Sequence, residues 1–182
     1  QMTTIARKTI NTAKHVIICG YGRCGQNLAR ILEREGIPYM ALDLDPDRVR
    51  QAAAAGDSVV FGDAARLQAL MAAGLARASA VVVTYLDVAG AIKVLSHIRS
   101  HAPQVPVIVL VRRPEDAIAS VIARKPSVDP GLAAGTYLRF YDGVAGVLDR
   151  CIVAEFGEVV GDFGRVIERT NGRFGTAFTP FE

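Results

Sequence analysis

Short, wholly apolar runs alternate along the chain with longer segments in which apolar residues recur every three or four positions. The short runs are rich in β-branched residues, which is typical of buried strands, and the longer segments have the period of amphipathic helices. The predicted strands are HVIIC (15–19), PYMALDLD (38–45), SVVFG (58–62), SAVVVTYL (79–86) and VPVIVLV (105–111). The predicted helices cover about 26–36, 46–56, 64–74, 87–101 and 114–123.

Local signals mark where several of these helices begin and end. Gly36, Gly56 and Gly74 each close a helical segment, in the position that glycine favours after a helix. Asp45 offers an N-terminal cap, and Pro46 suits the first helical position. Strands that are apolar on both faces and separated by helices indicate a parallel sheet covered on both sides. With right-handed crossovers, we expect a doubly wound, Rossmann-like α/β fold with strand order 3-2-1-4-5.

This alternation of strands and helices stops after Arg113, and the rest of the chain has weaker secondary-structure signals. Residues 124–135 collect prolines and glycines as a linker does. Asn171-Gly172, between alternating residues, favours a β-hairpin with a type I′ turn. The expected organisation is an N-terminal linker (1–14), a Rossmann-like domain (15–113) and a C-terminal extension (114–182) of unpredicted structure.

Charge and composition exclude several classes of function. The net charge of +3 is small and basic residues are interspersed with acidic ones, so no nucleic-acid partner is expected. Cys19, Cys24 and Cys151 form no C-x-x-C pair, so neither a disulfide framework nor a zinc site is indicated. His97 and His101 have a spacing that suits a metal, but no third ligand is evident. A solvated helix end is the better explanation for them.

No apolar run approaches the roughly 20 residues that a membrane span needs. The first residues also lack the apolar core of a signal peptide. We therefore expect a soluble, cytoplasmic segment. Because the sequence opens on Gln1, it is also interpreted as a piece of a longer protein.

The candidate chemistry begins where the first predicted strand ends, in the motif Gly20-x-Gly22-x-x-Gly25. Gly20 permits a tight turn, Gly22 lets a pyrophosphate approach the backbone, and Gly25 lets the next helix pack close to the sheet. The free N–H groups at the start of that helix would face the phosphates. A glycine motif alone is weak evidence, since an empty turn has the same sequence. This one has a strand before it and a helix after it.

An acidic residue completes the nucleotide-binding pattern. Asp43 ends the second strand about 20 residues after Gly20, where a carboxylate accepts hydrogen bonds from a ribose diol. Asp45 points to the same face of an extended chain and is assigned to the helix cap. An acid at Asp43 disfavours the 2′-phosphate of NADP(H), so NAD(H) is the expected ligand. An adenine mononucleotide such as AMP or ATP is the alternative ligand.

Further candidates lie at the carboxyl ends of the later strands, the edge at which such sheets bind ligands. Asp63, in the sequence GDA (62–64), is expected near the adenine, or it serves only as a helix cap, or both. Thr84 is expected to reach the phosphates or the second ribose. Cys24 lies in the glycine loop near a helix N-terminus, where a thiol pKa can fall. A redox-sensing role and a small residue tolerated in a loop are its two interpretations.

Several of these segments occur in the order and at the spacings of a known family. HVIICGYGRCGQNLARIL, ALDLDPDRV, VVFGDAARLQALMAAGLARASAVVVTYLD and VPVIVLVR are similar to successive blocks of the nucleotide-binding domain of regulators of potassium conductance (RCK), also called the TrkA-N domain. The form G-[YF]-G-R-x-G-Q most resembles Kef-type potassium-efflux antiporters and related monovalent cation:proton antiporters. The resemblance covers about 15–113.

The resemblance implies a regulatory domain without catalytic machinery, which forms a homodimer and binds NAD(H) or adenine nucleotides. It also implies a membrane-embedded potassium transporter or channel as partner, and a place at the inner, cytoplasmic face of the membrane. Arg23 would pair with a phosphate or with an anionic effector such as a glutathione adduct, or it is a solvated surface arginine. The implied binding set is Gly20, Tyr21, Gly22, Arg23, Cys24, Gly25, Asp43, Leu44, Asp63, Ala64 and Thr84.

Two other functions stay open. A small NAD-dependent oxidoreductase would need a proton-transfer residue and a substrate domain, yet no Tyr-x-x-x-Lys pair occurs and fewer than about 70 residues remain. We therefore expect no enzyme activity. The other alternative is a separate regulatory subunit of a Trk-type uptake system. Beyond residue 113 the chain departs from the family, because the segment that supplies a sixth strand and a dimerisation helix is not found.

Overall fold

The computed structural model describes residues 14–85, 87–146, 149 and 151–180, without the side chains of Val88 and Val144. The predicted linker 1–14 therefore lies outside the described residues, apart from Lys14. The strands are β1 (Val16–Cys19), β2 (Tyr39–Asp43), β3 (Val59–Phe61), β4 (Ala80–Val83), β5 (Val107–Val111) and β6 (Ile152–Glu155). They form one parallel sheet in the order β3-β2-β1-β4-β5-β6. The predicted order of the first five strands is confirmed.

Helices connect and follow the strands. They are α1 (Arg23–Arg34), α2 (Pro46–Ala55), α3 (Leu67–Ala72), α4 (Val88–His101), α5 (Pro114–Arg124), α6 (Pro130–Ala145), α7 (Phe156–Gly161) and α8 (Phe163–Phe174), with a short 3-10 turn at Leu75–Arg77. Within the described residues, no helix is both long and apolar enough to cross a lipid bilayer.

The sheet is covered on both faces, as the apolar strands predict. Ile17 and Cys19 belong to a buried cluster that includes residues of α3, α4 and α6. Val16 and Ile18 point to the other face and pack with residues of α1, α2, α7 and α8. Because successive strand side chains alternate between faces, each strand contributes to both layers. The predicted doubly wound α/β fold is confirmed.

The predicted signals at α2 are confirmed, whereas those at α3 need a correction. The Asp45 carboxylate accepts the N–H groups of Asp47 at 3.0 Å and Arg48 at 3.1 Å, so it caps α2. Asp63 was expected to cap the third helix. It accepts the N–H of Ala65 at 2.9 Å and closes a turn, and α3 begins only at Leu67.

The predicted helix over 114–123 is confirmed as α5, but the predicted linker is wrong from Pro130 onward. Pro130 begins α6 instead of interrupting the chain. Proline has no N–H to lose at the first turn of a helix, so it fits this position. The Asp129 carboxylate accepts the N–H of Leu132 at 3.0 Å, which satisfies one of the free donors of that turn.

The predicted hairpin at Asn171-Gly172 is also wrong, because both residues lie within α8. Val166, Ile167 and Thr170 are buried on one side of this helix. That amphipathic spacing, together with tertiary packing, overrides the local turn signal. Helix α8 lies beside β6, which pairs with β5. The chain therefore has the sixth strand that its sequence does not reveal.

Candidate functional site

A cleft of about 420 Å³ lies at the carboxyl edge of the sheet. Its volume is in the range of small-ligand sites in proteins. Most of the predicted binding residues line it, namely Gly20, Gly22, Arg23, Cys24, Asp43, Leu44, Asp63, Ala64 and Thr84. Tyr21 and Gly25 do not line the cleft, and they act instead on the shape of the loop.

The glycine loop connects β1 to α1 and forms the floor of the cleft. Gly20 has a φ of 100°, which a residue with a side chain rarely adopts. The Thr84 hydroxyl lies 2.8 Å from the Gly20 carbonyl oxygen and 3.1 Å from that of Cys19, so it holds the end of β1. A Cβ at Gly25 would lie 2.2 Å from the Gly20 oxygen, whereas one at Gly22 would meet nothing within 4 Å.

Gly22 and Gly25 therefore have different roles. Gly25 lets α1 pack against the end of β1. Gly22 leaves open space over the first turn of α1, where no side chain caps the backbone N–H groups. Free N–H groups at a helix N-terminus attract anions. The loop thus fits a phosphate group on the cleft side.

Tyr21 links the glycine loop to the neighbouring strand. Its N–H donates to the Asp43 carboxylate, and its hydroxyl donates to Asp57 at 2.9 Å. The side chain is buried, and this burial raises the pKa of the phenol to about 12. Its backbone N–H thus connects the loop to β2, and its neutral phenol connects the loop to the segment before β3.

Asp43 is buried at the end of β2 and accepts several hydrogen bonds. One oxygen accepts the Asp45 N–H at 2.8 Å and Arg48 Nη1 at 2.7 Å. The other accepts the Tyr21 N–H and the same Arg48 nitrogen at 2.9 Å. Arg48 also contacts Asp45 through Nη2 at 3.1 Å. The sequence analysis missed Arg48. Its position in the first turn of the helix that follows Asp43 could have predicted this contact.

The wall beside Asp43 combines apolar and polar groups. Leu44 is 59% exposed and Ala64 is buried, and both line the cleft. The Asp63 carboxylate accepts a hydrogen bond from the Ala65 N–H at 2.9 Å and lies 3.5 Å from Nε of Arg66. This wall presents an apolar surface beside the carboxylate of Asp43.

Basic side chains line the opposite end of the cleft. Arg23 lies there with Arg112 and Arg124. Arg23 Nη2 is 3.5 Å from the Ser120 hydroxyl, and Arg124 donates to the Ser120 carbonyl oxygen at 3.1 Å. Sequence reasoning missed Ser120, Arg112 and Arg124. Arg112 directly follows β5, so its place at the carboxyl edge of the sheet could have been predicted. Nothing in the sequence connects Arg124 with the glycine loop.

Helix α6 holds this basic end in place. The hydroxyls of Tyr137 and Tyr141 both donate to the backbone oxygen of Arg112. The two rings pack with their centroids 4.6 Å apart. Residues beyond 113 therefore support the cleft as well as the fold.

The family model of the TrkA-N domain matches residues 16–125, which is more than half of the chain. The chain belongs to the TrkA-N domain family. The putative K(+) efflux antiporter KefB of Alkalimonas amylolytica is 41% identical over 99 residues, or 54% of this chain. This TrkA-N chain spans only 15% of the length of that relative.

Solved structures share the fold of this TrkA-N domain. The TrkA-N domain of the inner membrane protein ybaL from Escherichia coli is 24% identical, with a TM-score of 0.53, and the match covers 63% of this chain and 84% of that one. The GsuK channel bound to NAD is 21% identical, with a TM-score of 0.51, and the match covers 62% of this chain and 20% of that one.

Cys24 lies in the cleft of the TrkA-N domain and is partly buried. Burial raises the pKa of its thiol, and the nearby guanidinium groups of Arg112 and Arg23 oppose this rise only in part. This direction favours the interpretation of Cys24 as a small residue tolerated in the loop over a redox-sensing role. A thiol that stays protonated is a poor nucleophile.

We expect the folded protein to be alkylated at Cys24 by iodoacetamide more slowly at pH 8 than the protein unfolded in urea. The thiolate is the reactive form, and a raised pKa lowers its fraction at any given pH. The alkylation rate should reach half its maximum at a pH above the thiol pKa of free cysteine. Mass spectrometry of wild type and Cys24→Ser across pH 7–10 measures this. A midpoint at or below that of free cysteine would restore the redox-sensing interpretation.

His97 and His101 each place a ring nitrogen against a backbone oxygen instead of forming a metal site together. His97 Nε2 lies 3.2 Å from the Ala65 carbonyl oxygen, and His101 Nδ1 lies 3.1 Å from the carbonyl oxygen of His97. In the part of the chain that the structure describes, no three histidine, cysteine or acidic residues are grouped to hold a metal ion.

Proposed function

We propose that this TrkA-N domain is a nucleotide-sensing regulatory domain of a potassium transport system. The observation that carries the proposal is one cleft that joins a glycine loop, the buried carboxylate of Asp43 and a basic end around Arg23. These groups match the phosphates, the ribose and the remaining anionic part of a nucleotide. The function of the whole protein is inferred from relatives much longer than this chain.

The ligand is NAD(H) in this proposal, and AMP or ATP are the alternatives. The adenosine would lie between Leu44, Asp43 and Ala64. Its phosphates would lie over Gly22, where the first N–H groups of α1 and the Arg23 guanidinium supply donors. The similarly folded GsuK channel has been solved bound to NAD, which supports NAD(H) as the ligand in this proposal.

The partner in this proposal is a membrane-embedded potassium transporter, as the similarity to a K(+) efflux antiporter suggests. The domain would lie at the inner, cytoplasmic face of the membrane and act as a homodimer. Nucleotide binding would favour one arrangement of the dimer, and an anionic effector near Arg23 would add to that bias. A difference in binding free energy of about 1–3 kcal/mol between two arrangements is enough for such control.

The buried acid of the cleft favours regulation over catalysis. Both oxygens of the Asp43 carboxylate are held by the four contacts described above. A general base must be free to take a proton from a substrate. Asp43 instead holds the glycine loop and the start of α2.

Calorimetric titration with NADH, NAD, NADPH, AMP and ATP tests the proposal on wild type, Arg23→Gln and Arg30→Gln. Arg30 is a matched control, since it is exposed on the same helix and contacts Asn27 at 3.2 Å. We expect saturable binding that weakens by about 10- to 100-fold in Arg23→Gln, the value of one hydrogen bond to a charged group. Arg30→Gln should bind like wild type.

Other outcomes separate the alternatives. Absence of binding by all five nucleotides would contradict the proposal and leave the glycine loop as a structural turn. Turnover of NADH with a small carbonyl substrate would favour the oxidoreductase. Equal weakening in Arg23→Gln and Arg30→Gln would mean that only the general charge of α1 matters.

A further inference from the structure

The carboxylate of Asp43 has no acceptor capacity left for a ribose. An ionised carboxylate offers about four acceptor sites. Here the N–H groups of Tyr21 and Asp45 and two contacts from Arg48 Nη1 use them. A ribose diol needs to donate to the same two oxygens. One of the present donors must therefore leave when the diol binds.

The two backbone donors are poor candidates for leaving. The Tyr21 N–H belongs to a buried residue of the glycine loop, and the Asp45 N–H belongs to the residue that caps α2. Moving the first would disrupt the end of β1 and leave a buried donor without an acceptor, and moving the second would disrupt the start of α2.

Arg48 is free to leave. Its side chain is 36% exposed, whereas that of Asp43 is 7% exposed. Its second nitrogen, Nη2, already contacts Asp45 at 3.1 Å, so the guanidinium keeps a partner if it moves away from Asp43. Both Arg48 and Asp43 line the cleft.

We infer that Arg48 competes with the ribose for Asp43, and that this competition sets how strongly the site distinguishes ribonucleotides from deoxyribonucleotides. The inference rests on the proposed nucleotide-binding function. Arg48 acts through Asp43 and is a positioning residue. While it holds both oxygens, the 2′-hydroxyl gains little, because each bond to the ribose replaces a bond to a cation. Without Arg48 the same hydroxyl binds a carboxylate that has free acceptor sites.

The experiment compares AMP with 2′-deoxy-AMP, which differ only in the 2′-hydroxyl and carry the same charge. Calorimetric titrations of wild type and Arg48→Met give the ratio of the two affinities. We expect this ratio to rise by about tenfold in Arg48→Met, the effect of one charge-assisted hydrogen bond. Arg50→Met is the matched control, because Arg50 lies on the same helix and pairs with the exposed Asp47. Its ratio should equal that of wild type.

Loss of Arg48 also removes an ion pair, so each variant is first checked for a cooperative thermal transition. Arg48→Gln, which keeps a neutral donor, replaces Arg48→Met if the latter does not fold, and its ratio should also rise. A ratio that stays constant or falls, while AMP still binds wild type, overturns this inference alone. If AMP and the other nucleotides bind neither wild type nor variant, the proposed function fails and the inference fails with it.

Discussion

Replacing Gly25 by alanine is expected to lower the free energy of unfolding by about 3 kcal/mol. In an ordinary helix interior this substitution would stabilise by about 1 kcal/mol. Here the new Cβ would lie 2.2 Å from the backbone oxygen of Gly20, which cannot move as a flexible side chain can. The clash therefore outweighs the helix propensity, and α1 must shift away from β1.

Urea titration and thermal melting measure this effect. For a chain of this size, a loss of 3 kcal/mol corresponds to a fall in Tm of roughly 6–12 °C. Gly22→Ala is the control, since its Cβ meets nothing within 4 Å and its φ of −69° suits any residue. It should keep the Tm of wild type and bind nucleotide more weakly. A Gly25→Ala variant as stable as wild type would contradict the close packing of α1 on β1.

Replacing Asp43 by asparagine is expected to lower the stability by about 2 kcal/mol and, because the Tyr21 N–H that holds the glycine loop loses its carboxylate acceptor, to weaken AMP binding by about tenfold. The side chain keeps its shape, but an amide NH2 takes the place of one acceptor oxygen. That NH2 would face the N–H of Tyr21 or the guanidinium of Arg48, and both are donors. The stability effect stays below that of a fully buried pair because Arg48 is partly exposed to water.

Asp47→Asn is the matched control for this prediction. Asp47 pairs with Arg50 on the same helix, with 69% and 75% of the two side chains exposed. Exposed pairs of this kind contribute about 0–1 kcal/mol. Thermal melts and AMP titrations of both variants should therefore separate them clearly. Equal effects at Asp43 and Asp47 would mean that Asp43 acts only through the net charge of this region.

The first five strands and the helices between them follow from local patterns, and their order in the sheet follows from right-handed crossover connections. Apolar strands, the cap at Asp45 and Pro46, and the glycines at helix ends each act within a few residues. Such signals are present in the sequence itself. The hairpin predicted at Asn171-Gly172 shows the limit of this reasoning. Val166 packs against the sheet and Ile167 is buried beside it, and this tertiary packing stabilises a helix where the turn signal alone favours a hairpin.

The candidate site divides in the same way. The sequence by itself determined the glycine loop and the acid at Asp43, because the loop needs glycines at particular places and the acid follows at the end of the next strand. Arg48 lies only five residues after Asp43, so this contact too was open to prediction from the sequence. Only the tertiary structure decided that Ser120 lies beside Arg23, 97 residues away in the chain. That contact depends on how α1 and α5 pack at one edge of the sheet, and no local pattern of residues encodes it.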